Sequence, residues 1–110
     1  RAARRLDGLP IPRAKRGVAA LYDASDDWLP IYDRSSRDGF YLACGSSGNQ
    51  FKNAPIAGFC MAALIEAVES GRDHDGDPLQ VAAPFTGFSI DMGTFSRLRN
   101  PAATSMNVFG

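Results

Sequence analysis

The stretch YLACGSSGNQFKNAP, residues 41–55, decides how this chain is organised. A short apolar run ends at Cys44-Gly45, crosses a small polar elbow and delivers Lys52 to the start of a helix. The helix is predicted from about Asn53 to Ser70. Ile56, Phe59, Cys60, Ala63, Leu64, Ala67 and Val68 recur there at three- and four-residue spacing and form one apolar stripe. Pro55 fits the first turn, where its missing N–H has no partner to lose. Gly71 is the expected stop. Gly58 in the interior costs about 1 kcal/mol relative to alanine, a cost that close approach of a strand or ligand often offsets.

Upstream, PIYD (30–33) and GFYLACG (39–45) are short β-like runs joined by RSSRDG, whose Asp38-Gly39 signals a turn. A hairpin is expected. AKRGVAALYDAS (14–25) reads as a further strand, SDDWLP (25–30) as a turn, and residues 1–8 as the tail of a helix closed by Gly8. Downstream, RDHDGDP (72–78) reads as a polar surface turn. One strand is expected near Phe88–Asp91, followed by a tail. The fold class is therefore α+β, with a β-hairpin, short strands and one long helix.

Composition narrows the function. The chain has 110 residues, 45% hydrophobic and 22% charged, with formal net charge zero. One domain is expected, and no global field argues for nucleic acid or a membrane surface. Arg1, Arg4, Arg5, Arg13, Lys15 and Arg16 crowd the N-terminus, but no aromatic is interleaved with them, and they read as solvated helix-end and strand-start charges. The apolar run from Ala54 to Val68 is too short, and too broken by Pro55, Gly58 and Glu66, for a membrane span. Cys44 and Cys60 are the only cysteines and are expected as buried free thiols. His74 is the only histidine, and no spacing recommends a metal. In the aspartate-rich loop Gly76 comes too early for a calcium site, and Pro84 stands where a closing glutamate is needed. No signal peptide is visible, and a cytoplasmic location is expected. The start RAARRLDGLP, without an initiator methionine, suggests a fragment.

A strand that turns through small residues into a helix leaves backbone N–H groups aimed at one spot, where the helix dipole adds positive potential. Lys52 supplies a full charge at the same end. A phosphate-binding Walker loop does not fit: counting from Gly45, Gln50 replaces the second glycine and Phe51 the lysine.

GSSGNQFKNAP does resemble the G-x-S-G-x-x-x-K elbow of FAD-dependent oxidoreductases related to glycine and D-amino-acid oxidase, sarcosine oxidase and dimethylglycine dehydrogenase. LYDASDDWLPIYD (21–33) is similar to the family's YD-x-[ST]-x-D-x-x-P-I segment, and IDMGTFSRLR (90–99) to its closing [ID]-[LM]-x-x-F-S-x-x-R. The three blocks stand in the family's order across about residues 13–100.

The resemblance implies that the chain is a single C-terminal piece, residues 1–110. It would hold the last strand and helix of a Rossmann-like FAD domain with a little of the substrate domain. The N-terminal G-x-G-x-x-G dinucleotide fingerprint is absent. Backbone around Gly45, Ser46, Ser47, Gly48, Asn49 and Gln50 would contact the flavin pyrimidine edge, where reduction deposits negative charge. Gly45 and Gly48 would let the backbone approach a flat ring. Lys52 aligns with a lysine near the flavin that helps hold a substrate carboxylate, and Tyr22 with an active-site tyrosine. From the residues alone, Lys52 is a surface lysine at a helix start and Tyr22 a half-buried strand tyrosine. Ala20 occupies the position from which some members tether flavin through cysteine, so no tether forms there. Asp23, Asp26, Asp27 and Trp28 belong to turn chemistry and packing.

The implied activity is oxidation of the C–N bond of an amino acid or N-methylated amine, with hydride passing to FAD in the full-length parent; the piece alone is expected to be inactive. The alternative is a small non-catalytic domain that binds an anion or a protein partner through residues 45–53. A piece cut from a larger enzyme also exposes core faces, so self-association is expected.

Overall fold

The elements build outward from the hairpin. In a computed structural model, residues 17–48 and 50–101 are described, with Gly8 and Ala14 as isolated positions. Strand β1 (Ile31–Arg34) pairs antiparallel with β2 (Tyr41–Cys44), Ile31 opposite Cys44 and Arg34 opposite Tyr41. Ser35 N–H donates to Phe40 O (2.8 Å) and Phe40 N–H to Arg37 O (3.2 Å). With Gly39 at φ 69°, the turn closes where Asp38-Gly39 foretold it.

Helix α1 (Ala54–Glu69) follows a short 3-10 turn, Phe51–Asn53. Its end is stopped as expected: Gly71 at φ 95° donates its N–H to Val68 O, and Arg72 N–H reaches Ala67 O. Those paired bonds satisfy carbonyls that the last turn would otherwise leave open. Leu64 and Cys60 face the core, and burial raises the Cys60 thiol pKa. Phe59 is 44% exposed although it lies in the apolar stripe, and nothing approaches within 4 Å of the Cβ position at Gly58. The close approach expected at that glycine is thus absent among the described residues.

Two expectations fail beyond the helix. A second antiparallel pair forms from β3 (Gln80–Ala82) and β4 (Ser89–Asp91), Val81 opposite Ile90. The strand near Phe88–Asp91 is present, but β3 gave no alternation to read because Val81 is its one buried side chain. The expected tail instead turns through a 3-10 segment, Met92–Phe95, that buries Met92. The expected strand at 14–25 also differs: its described part, residues 17–25, lies in no strand and pairs with no edge. The helix expected at residues 1–8 falls outside the described residues, apart from Gly8.

The described chain is an α+β fold of two small antiparallel sheets and one helix. Tyr32, Cys60, Leu64, Val81 and Met92 form its core, and Phe95 stands against Tyr32 with ring centres 5.5 Å apart. Successive β1 side chains point to opposite faces, so Tyr32 enters this core while Asp33 enters a polar cluster behind it. Both cysteines are free, as expected, but Cys44 is exposed rather than buried. By length and composition alone, Phe51–Glu69 could cross a membrane: 19 residues of mean hydropathy 1.3, with 11% of the segment buried in the chain.

Candidate functional site

Two features make the elbow after β2. Gly45, Ser47 and Gly48 all take left-handed backbone, φ 65°, 50° and 70°. Ser47, with a side chain, does so at a local cost of roughly 1–2 kcal/mol. It is fully buried and anchored there: its N–H donates to Asp23 O (2.9 Å), and its Oγ accepts from Ser25 N–H (3.3 Å) and donates to Gly45 O (3.3 Å).

The second feature is Asp23. Its Oδ2 accepts the Gly45 N–H and the Ser46 N–H (3.1 Å), and its Oδ1 accepts the Ser46 hydroxyl (2.7 Å). The Ser46 hydroxyl and N–H, with help from the Gly45 N–H, hold the Asp23 carboxyl below its usual range against opposing desolvation. The N–H groups expected to be open at Gly45, Ser46 and Ser47 are therefore taken by the chain itself. A carboxylate does sit in the elbow, and it is an internal one.

Tyr22 meets Gly48. A Cβ on Gly48, at φ 70°, would stand 3.3 Å from the tyrosine ring, so a side chain there would be strained and would press the ring aside. The tyrosine is 57% exposed and lies in no strand. Tyr22, Gly45, Ser46, Ser47 and Gly48 thus come together. Asn49 lies outside the described residues. Gln50 Oε1 turns the other way, accepting from the Tyr32 hydroxyl and from Asn53 Nδ2 (3.1 Å each) at the rim of a largely apolar cavity of about 370 Å³. Lys52 is exposed on the 3-10 turn. Neither Gln50 nor Asn53 caps its helix with a side chain, so the start of the helical segment carries no side-chain anion.

Local sequence did not reveal the polar cluster behind β1. Asp33 is fully buried. Its Oδ2 accepts from Ser96 Oγ (3.1 Å), Arg97 N–H (2.8 Å) and Arg97 Nη1 (3.0 Å), and its Oδ1 from Arg34 N–H (2.7 Å). Arg97 also forks onto Asp75 at 2.8 and 2.7 Å, which lowers the Asp75 pKa and raises that of Arg97. His74, expected on a surface turn, is 1% exposed. Its Nδ1 accepts Leu79 N–H (3.0 Å), so the neutral ring carries its proton on Nε2, which stands 3.5 Å from Asp33 Oδ1. Among the described residues that Nε2 has no hydrogen-bond partner. The signal was hidden because the two partners are 41 positions apart and each sits in a segment that reads as ordinary on its own.

A second pair repeats the device. Arg99 grips Asp27 with two bonds of 2.7 Å and reaches Leu29 O (2.9 Å). The guanidinium is the main reason that the Asp27 pKa falls far below the carboxylate range despite burial. Asp23 and Asp27 thus serve turns and packing, as their position in a Ser/Asp-rich stretch indicated. Among the described residues no three His, Cys, Asp or Glu side chains converge as metal ligands. No family model, curated protein or solved structure matches this chain.

Proposed function

We propose that this chain is the C-terminal piece of an FAD-dependent enzyme that oxidises the C–N bond of an amino acid or N-methylated amine. One observation carries the proposal: blocks of sequence that resemble that family in order are also in contact, with Tyr22 of the first block packed on Gly48 of the second. The closing block supports it as well, because Arg97 and Arg99 bind back onto Asp33 and Asp27 of the first. The fuller assignment, a Rossmann-like FAD domain with part of a substrate domain, belongs to the same proposal.

The occupied N–H groups narrow which residues fit a flavin. Gly45, Ser46 and Ser47 shape the elbow, while the uncapped helix start and Lys52 would face the pyrimidine edge, the Gln50 side-chain oxygen being held by Tyr32 and Asn53. Bound FAD would supply the hydride acceptor, converting the amine to an imine that water hydrolyses. Lys52 would hold the substrate carboxylate as a point charge, and the Tyr22 hydroxyl would orient the substrate. The alternative anion-binding module has less support, since Asp23 already fills the nest an external anion would need.

We read the chain as cytoplasmic, with no membrane span and no nucleic-acid partner. Neutral net charge, Pro55 in the first turn, a glycine stop and packing of α1 on β1 support this reading. Val18, Leu21, Phe51 and Phe85 are each more than 90% exposed, which supports self-association of the isolated chain. Light scattering is expected to give a dimer or larger; a monodisperse monomer counts against it. The enzyme reading is tested by the visible spectrum of the full-length parent, before and after anaerobic addition of N-methyl and D-amino acids. A flavin band that bleaches with one of them is the expected result. A protein that stays colourless after FAD is added would sink the proposal.

A further inference from the structure

The segment bearing Tyr22 has little apolar packing to hold it. Val18 and Leu21 are 94% and 102% exposed, and residues 17–25 join no sheet. Its attachment is polar and concentrated on Asp23 and Ser25. Gly45 N–H, Ser46 N–H and Ser46 Oγ donate to the Asp23 carboxylate; Ser47 N–H donates to Asp23 O, and Ser25 N–H donates to Ser47 Oγ. Three successive donors converge because left-handed backbone at Gly45 and Ser47 turns their N–H groups to one side. Beside this clasp the Tyr22 ring closes on Gly48.

We propose that Asp23 is a positioning residue: its carboxylate, seated in the Gly45–Ser46 nest, sets the backbone that presents Tyr22 at the elbow. With residue 23 pinned, the tyrosine is held through its next neighbour in the chain, and Gly48 offers the surface against which its ring settles. An alanine at 23 keeps the Ser47-to-carbonyl bond but loses all three carboxylate bonds. An asparagine keeps one acceptor oxygen for the N–H groups, so it restores part of the clasp. That the held tyrosine serves a substrate rests on the flavoenzyme reading; that Asp23 holds it does not.

The test is NMR on this chain without flavin. The assigned Gly48 Hα resonances report the Tyr22 ring current, and Tyr22→Leu supplies the reference without the ring. Asp23→Ala is expected to move the Gly48 signals to the Tyr22→Leu positions, and Asp23→Asn to move them part of the way. The Leu64 methyl and Gly71 amide signals are expected to stay in place, showing an intact core and helix end. Gly48 signals unchanged in Asp23→Ala would overturn the proposal. Should Asp23→Ala also disturb Leu64, Ser46→Ala decides, since it removes a single hydroxyl bond: a partial shift supports the clasp, and no shift overturns it. A colourless parent protein would end the flavoenzyme reading and leave this result standing.

Discussion

Asp33 and Asp23 each join segments far apart in the sequence, one with no solvent exposure and the other in open solvent. Asp33 ties β1 to Ser96, Arg97 and the His74 loop, with Ser96 and His74 buried beside it and Arg97 partly so. Asp23 ties the Tyr22 segment to the elbow with three carboxylate bonds against four at Asp33, and water competes for the two made by Ser46. The difference teaches that burial, more than bond count, ranks these two carboxylates. Losing Asp33 leaves buried donors at Ser96 and His74 without that acceptor, whereas losing Asp23 frees two Ser46 donors that water can satisfy and one part-buried N–H at Gly45.

The largest effect is therefore expected at Asp33→Ala. The Ser96 hydroxyl, the Arg97 N–H and the His74 Nε2–H would lose the carboxylate they face, while the Arg97 guanidinium keeps Asp75, and a loss of about 3–5 kcal/mol is expected. With five buried apolar side chains as its core, the chain has little reserve, and urea denaturation should find the variant largely unfolded. Asp23→Ala, measured beside it, should unfold close to the wild-type midpoint. A variant at Asp33 that kept its midpoint would erase the contrast.

Arg99→Ala comes next. It leaves the Asp27 carboxylate, 3% exposed, with only the Ser25 hydroxyl and Leu29 N–H, and a loss of about 2–3 kcal/mol is expected in the same assay. Acid sharpens the point. The Asp27 and Asp75 pKa values are lowered in the folded chain, chiefly by Arg99 and Arg97. Their contribution is thus full above the unfolded carboxylate value, about pH 4, and fades as pH falls toward the folded values. Wild-type stability should drop on acidification below about pH 4. In Arg99→Ala the Asp27 share of that slope should vanish, because burial without its guanidinium no longer favours the charged form.

These contrasts also mark what could be read in advance. The hairpin, the helix and its glycine stop were legible because each signal is local: Asp38-Gly39, the Ile56-to-Val68 stripe, Gly71. The elbow was legible as a turn into a helix; the contact of Tyr22 with Gly48 was not, because nothing in ALYDAS announces a partner 26 positions away. The elbow's resident carboxylate was not legible either, since Asp23 lies 22 positions from Gly45 and looks like one more turn aspartate. The buried His74 and the guanidinium anchors at 97 and 99 were hidden for the same reason. β3 was missed because Gln80-Val81-Ala82 is too short to show a period.

The smallest expected effect asks whether the open helix face is finished. Gly58 sits mid-helix with nothing among the described residues within 4 Å of its Cβ position, so Gly58→Ala should stabilise this chain by about 0.5–1 kcal/mol, read as a rise in urea midpoint. The gain comes from helix propensity and from a less flexible unfolded chain, and no contact opposes it. No gain, or a loss, would mean that something packs against residue 58 in solution, such as a second copy of the chain. Light scattering on the same samples separates the two cases: a stabilised variant should keep the wild-type assembly state, while one that loses stability by breaking an interface should shift toward monomer.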